Sequence, residues 1–80
     1  MVREAVIIPT GDEVRDGIVR DTDSPAIIAG LIARHPRCRV TRAAPLADSE
    51  EALLRELAVW VERGVELVVV IGGSGGGSRY

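Results

Sequence analysis

Two stretches carry residues suited to chemistry. The first is Gly72-Gly73-Ser74-Gly75-Gly76-Gly77-Ser78, which directly follows the apolar run Leu67-Val68-Val69-Val70-Ile71. Glycines at a strand end remove side chains, so backbone N–H groups can come close to a ligand, and such donors suit an anion. The second is Thr10-Gly11-Asp12, which follows Ala5-Val6-Ile7-Ile8-Pro9 and puts a hydroxyl and a carboxylate at another strand end. A further carboxylate, Asp48, precedes Ser49-Glu50-Glu51. The standard nucleotide motifs do not fit. A P-loop needs Lys-Ser or Lys-Thr after its glycines, and all ten basic residues here are arginine. A dinucleotide fingerprint needs Gly-x-Gly-x-x-Gly opening a helix, whereas Gly73–Ser78 lacks the last glycine and follows the third strand.

The same residues have plainer uses. Asp48 suits a helix cap and Asp12 a turn, because short polar side chains bond the local backbone. Gly72–Ser78 also has the composition of a flexible linker. His35 precedes Pro36 at a helix end, which suits a solvated capping residue better than a catalytic base. Cys38 is the one cysteine, so it makes no internal disulfide and reads as a small buried filler.

Eighty residues, 46% of them apolar, are enough for one small domain. A chain of this size buries only about 60% of its unfolded surface, so its stability is marginal. A net charge of −2 gives no electrostatic reason to expect nucleic acid or an anionic membrane as partner. The apolar runs are far shorter than a membrane span, Met1-Val2-Arg3-Glu4 is not a signal peptide, and a cytoplasmic location is expected.

The elements that must position these residues follow from pattern. Ala5–Ile8, stopped by Pro9, is a buried strand. Residues 12–21 lack periodicity and predict a loop of about a dozen residues, longer than usual for such a unit. Ser24-Pro25 predicts a helix start, with Ile27, Ile28, Leu31 and Ile32 on its inner face and His35-Pro36 as its end. Cys38–Ala44 mixes arginines with β-branched residues and suits an edge strand. Asp48 is expected to cap the next helix, with Glu51 completing a capping box and Leu53, Leu54, Leu57, Ala58 and Val61 forming the apolar stripe. Gly64 stops that helix and Val65–Ile71 is the last strand, apolar enough to be covered on both faces. Together these predict an α/β βαβαβ three-layer half-domain with a parallel sheet in the order 2-1-3. Thr10-Gly11-Asp12, the glycine loop and Asp48 then share one rim.

These segments resemble the molybdopterin-binding domain of molybdenum-cofactor biosynthesis proteins, of the adenylyltransferase and molybdenum-insertase kind. Thr10-Gly11-Asp12-Glu13 matches the family's Thr-Gly-Asp-Glu segment, and Gly17–Ser24 matches its Gly-x-Ile-x-Asp-Thr-Asn-Ser stretch, with Asp23 in place of asparagine. Asp48 matches the aspartate opening the second helix, and Gly72-Gly73-Ser74-Gly75 matches the Gly-Gly-Thr-Gly loop. The resemblance implies a pterin-phosphate ligand, held by Thr10, Gly11, Asp21, Ser24, Gly72, Gly73, Ser74 and Gly75. It implies that Asp12 and Asp48 organise the reacting groups, with Asp48 as a ligand for Mg²⁺.

The resemblance spans the N-terminal half of the family domain, and Tyr80 stands where the family has an aspartate. The chain is therefore expected to bind without being catalytic by itself. In a longer form its activity is expected to be of the molybdopterin adenylyltransferase type, a transferase. Two other readings stay open. One is a non-catalytic oligomerisation or protein-interaction module, pairing with itself or with a missing partner segment. The other is a portion of a nicotinamide-nucleotide amidase of the damage-repair kind, a family that shares the first three segments but has a bulkier residue at position 74.

Overall fold

The computed structural model describes residues 2–72. Its elements run β1 (Glu4–Pro9), α1 (Asp12–Arg15), α2 (Asp23–Arg34), β2 (Arg39–Arg42), α3 (Glu50–Glu62) and β3 (Leu67–Ile71). The strands form one parallel sheet in the expected order, β2-β1-β3. Val6, Ile7 and Ile8 of the central strand are wholly buried. That is why an unbroken apolar run suits β1, since neither face meets water.

Side chains alternate between the two faces of β1. Val6 and Ile8 join Ala43 and Leu53 in one core, packed by Leu46, Leu57, Trp60, Val65, Val68 and Val70. This is the α3 side of the sheet. The α3 stripe differs from the expected one. Leu53 is 5% exposed, but Leu54 is 59% and Val61 67% exposed, while Trp60 packs against the core. A helix has 3.6 residues per turn, so a stripe centred on positions 53, 57 and 60 leaves 54 and 61 at its margin. On the other helix Ile32 is likewise 45% exposed, leaving Ile27, Ile28 and Leu31 as the inner face of α2.

Three local readings are corrected by the backbone. The segment after Gly11 is not loop throughout, because Asp12–Arg15 form a single helical turn, with the Arg15 N–H donating to the Gly11 carbonyl at 3.0 Å. Helix α3 is capped by Ser49, whose hydroxyl accepts the Ala52 N–H at 3.2 Å. Asp48 therefore lies one residue outside the cap, and Glu51 is not in a capping-box position. Helix α2 begins at Asp23, and the Ser24 side chain does not cap it. Asp21 takes that role from just before the helix, accepting the Ser24 N–H at 3.0 Å.

Strand β3 is half-buried along its whole length. It is an edge in this sheet, so the double coverage its composition suggests is incomplete. Cys38 is buried as expected. His35 is half-buried rather than solvated, and its Nδ1 accepts the Val2 N–H at 3.4 Å. No described helix is long and apolar enough to cross a membrane.

Asp21 also binds Arg42, the last residue of β2, at 3.0 Å, with its own side chain only 7% exposed. Burial works against its charge, but Ser24 and the Arg42 guanidinium outweigh burial and hold the carboxyl below its usual value. A carboxyl whose folded pKa is depressed contributes stability above its unfolded value, about 3.9, and loses it as pH falls through the folded one. Stability measured by urea denaturation should therefore decline below about pH 4, and Asp21→Asn should remove part of that decline. In the same assay at neutral pH, Leu53→Ala should cost about 2–4 kcal/mol. Leu54→Ala, on the exposed margin, should cost about 0.5 kcal/mol or less.

Candidate functional site

The candidate site is the rim at the carboxyl ends of β1 and β3. Thr10 is buried and binds the end of β3 twice. Its N–H donates to the Ile71 carbonyl at 2.9 Å and its hydroxyl to the same oxygen at 2.6 Å. β-branched threonine suits the last position of an extended strand, and its hydroxyl gives this carbonyl a second donor. Gly72, the first glycine of the loop, is thereby fixed beside Thr10.

Gly11 then takes φ of 125°, a value that L side chains rarely adopt. Its N–H donates to the Leu46 carbonyl at 3.0 Å, and the Leu46 N–H donates to the Pro9 carbonyl at 2.9 Å. Those two bonds tie the segment that precedes α3 to the end of β1. The turn brings Asp12 to Asp48, whose N–H donates to Asp12 Oδ1 at 2.9 Å. Both side chains are exposed, so their remaining carboxylate oxygens face solvent. The Arg15 guanidinium lies 3.7 Å from Asp12 Oδ1 and pairs more closely with Asp16 at 3.0 Å. That hydrogen bond holds the exposed Asp16 carboxyl below its usual range.

Of the residues expected at the site, the structure brings Thr10, Gly11, Asp12, Asp48 and Gly72 together. Thr10 has its hydroxyl committed to Ile71, so its contribution is to hold the rim in shape. A Cβ on Gly72 would meet nothing within 4 Å, so packing among the described residues does not demand glycine there. Gly73, Ser74 and Gly75 lie outside the described residues.

Asp21 and Ser24 form a separate cluster with Arg42 at the start of α2. Both Asp21 oxygens are engaged, Oδ1 by the Ser24 N–H and Oδ2 by Arg42. The Ser24 hydroxyl is fully buried, and among the described residues no group meets hydrogen-bond geometry with it. In this arrangement Asp21 shapes the loop from Gly17 to Asp23 by anchoring it to β2. Arg42 escapes sequence reasoning, since a lone arginine on an edge strand looks like any solubilising charge. Only the packing of α2 on β2, which brings the loop before α2 to the end of β2, puts it beside a residue 21 positions earlier.

Chemically, the rim places two carboxylates, Asp12 and Asp48, beside a strand end followed by glycine. Among the described residues there is no group of three or more His, Cys, Asp or Glu that could hold a metal ion. Mg²⁺ takes only one or two protein carboxylates and completes its octahedron with water and substrate phosphate, and the carboxylates at this rim are Asp12 and Asp48.

A family model described as a probable molybdopterin-binding domain matches residues 6–79. No curated protein and no solved structure matches the chain. The family match runs from the first buried residues of β1 through the Thr10-Gly11-Asp12 turn, Asp48 and the glycine segment, and the chain belongs to the molybdopterin-binding domain family.

Proposed function

We propose that the chain binds molybdopterin through its phosphate at this rim and serves molybdenum-cofactor biosynthesis as a binding module, without catalysing a reaction by itself. The observation that carries the reading is the double tie of the Thr10-Gly11-Asp12 turn, to Ile71 on one side and to Asp48 on the other. It sets a glycine-bearing strand end and two carboxylates around one place. Backbone N–H groups of Gly72, Gly73 and Gly75, with the Ser74 hydroxyl, are the donors suited to a dianionic phosphate. Asp12 and Asp48 are the residues that would hold Mg²⁺, which when bound supplies charge neutralisation for phosphate groups. Thr10 and Gly11 keep the rim in shape. Asp21 and Ser24 fix the loop behind it.

Adenylyl transfer is largely positioning plus charge neutralisation, so it depends on a full set of groups around the nucleotide phosphates. The Tyr80 side chain carries a phenol, not a carboxylate, where the family pattern has an aspartate. That is the reason for assigning binding rather than turnover to these residues.

Isothermal titration of the intact chain with molybdopterin, or with a phosphate-bearing pterin, should show saturable binding. Ser74→Asp should weaken it about tenfold or more, since a carboxylate near a phosphate costs upwards of about 1.4 kcal/mol. A chain that is folded by circular dichroism and takes up no pterin phosphate would overturn the reading. Incubated with molybdopterin, ATP and Mg²⁺, the purified chain should release no pyrophosphate above background. Sustained release would show that Tyr80 does not impair transfer, and the module would then be an enzyme.

A further inference from the structure

The chain between the rim and α2 is bonded to itself along most of its length. The Arg15 N–H donates to the Gly11 carbonyl at 3.0 Å, that of Asp16 to Asp12 at 2.9 Å, and that of Gly17 to Val14 at 3.2 Å. The Ile18 and Val19 N–H groups then share the Glu13 carbonyl, at 2.8 and 3.2 Å. Residues 12–19 therefore behave as one small unit, and Arg20 alone joins that unit to Asp21.

An aspartate holds this unit at each end, and both grip the same stretch of chain. At its start, Asp12 Oδ1 accepts the Asp48 N–H at 2.9 Å. Just past its end, Asp21 Oδ2 accepts from Arg42 Nε at 3.0 Å and lies 3.0 Å from Nη2. The stretch from Arg42 to Asp48 is itself fixed along β1. The Ala43 N–H donates to the Ile7 carbonyl at 2.8 Å and the Leu46 N–H to the Pro9 carbonyl at 2.9 Å.

The two grips are unequal. The Asp12 side chain is 60% exposed, so water competes for its oxygens. The Asp21 side chain is 7% exposed, and its other oxygen takes the N–H of Ser24, which is wholly buried. A shielded charge pair is little screened, and removing one partner leaves the other charge uncompensated. The shielded grip fixes where the unit sits, and the exposed grip follows from it.

We propose that Arg42 is a positioning residue for the rim: through Asp21 it sets residues 12–19 so that Asp12 meets Asp48. This deepens the reading of that rim as the phosphate site and rests on it. Without the Arg42 guanidinium, Asp21 loses the partner that ties it to β2. The unit then swings about Gly11, and Asp12 parts from Asp48.

The test is amide hydrogen exchange at Asp48 in the intact chain, beside isothermal titration with a phosphate-bearing pterin. Arg42→Gln should speed exchange at Asp48 about threefold or more and weaken pterin binding by a similar factor, as substitutions along a contact network do. Arg42→Lys, which keeps the charge, should recover part of both. In an Asp12→Ala background Arg42→Gln should leave the Asp48 rate unchanged, because the contact it acts through is already gone. Leu57→Ala, a core change two turns along α3, lowers global stability but should move neither reading, since an exposed amide exchanges by local opening. Should Arg42→Gln fail to fold, Asp21→Asn removes the same pair and is read in its place. A wild-type rate at Asp48 in the folded variant would overturn the proposal, and so would an equal acceleration in Leu57→Ala. If the wild-type chain takes up no pterin phosphate, the phosphate reading falls by itself, and exchange at Asp48 still decides the role of Arg42.

Discussion

The fold depends on the burial of β1. Val6, Ile7 and Ile8 lose all contact with water only because α2 and α3 lie on opposite faces of the sheet while β2 and β3 occupy both sides of the strand. Burying an aliphatic side chain of this size contributes about 1.5–3 kcal/mol. In a small domain, three such residues in a row outweigh any single polar contact. Parallel pairing cannot close through a short hairpin, so each neighbouring strand is reached through a helical crossover. Those crossovers bring the loops after β1 and β2 to the same end of the sheet.

The polar contacts at that end are individually modest. A typical hydrogen bond contributes about 1 kcal/mol net. Their effect is positional. The two Thr10 bonds to Ile71 set where β3 ends, the Gly11–Leu46 and Leu46–Pro9 bonds set where the segment before α3 begins, and the Asp12–Asp48 bond joins the two loops. The Asp21–Arg42 pair does the same for the loop leading into α2, in a half-shielded place where an ion pair is less weakened by solvent than on an open surface. The rim proposed as the phosphate site is thus built mainly from groups that also hold the sheet together. This explains why Thr10 and Asp21, which have the chemistry of ligands, are occupied by internal partners.

The two edges of the sheet differ in composition. A domain of this size buries a limited share of its apolar surface, and here the shortfall is concentrated along β3 and the margin of α3 rather than spread evenly. The arginines of β2 protect one edge, so the incompleteness has a direction.

Much of the design is legible in the sequence because its signals are local. The apolar run of β1, Pro9 after it, Gly64 with φ of 82° and the arginines of β2 each act within a few residues, and they yield the α/β class and the 2-1-3 order. The turn at Gly11 and the approach of Asp48 are legible as convergence at one rim. What the sequence does not decide is how shared groups are divided. A serine beside a proline and an aspartate before two glutamates are both good caps, and only tertiary contacts decided that Asp21 and Ser49 do the capping. Helical periodicity marks Leu53, Leu54, Leu57 and Val61 as one stripe, yet the stripe is wider than the strip of sheet beneath it. The rotation of α3 that buries Trp60 leaves Leu54 and Val61 in water, and that rotation is fixed by packing against Val6, Ile8 and Ala43, residues remote in the chain. Arg42 is paired with Asp21 for the same reason: its partner lies in the loop before α2 and is brought to the end of β2 by the packing of α2 on that strand, which no local pattern encodes.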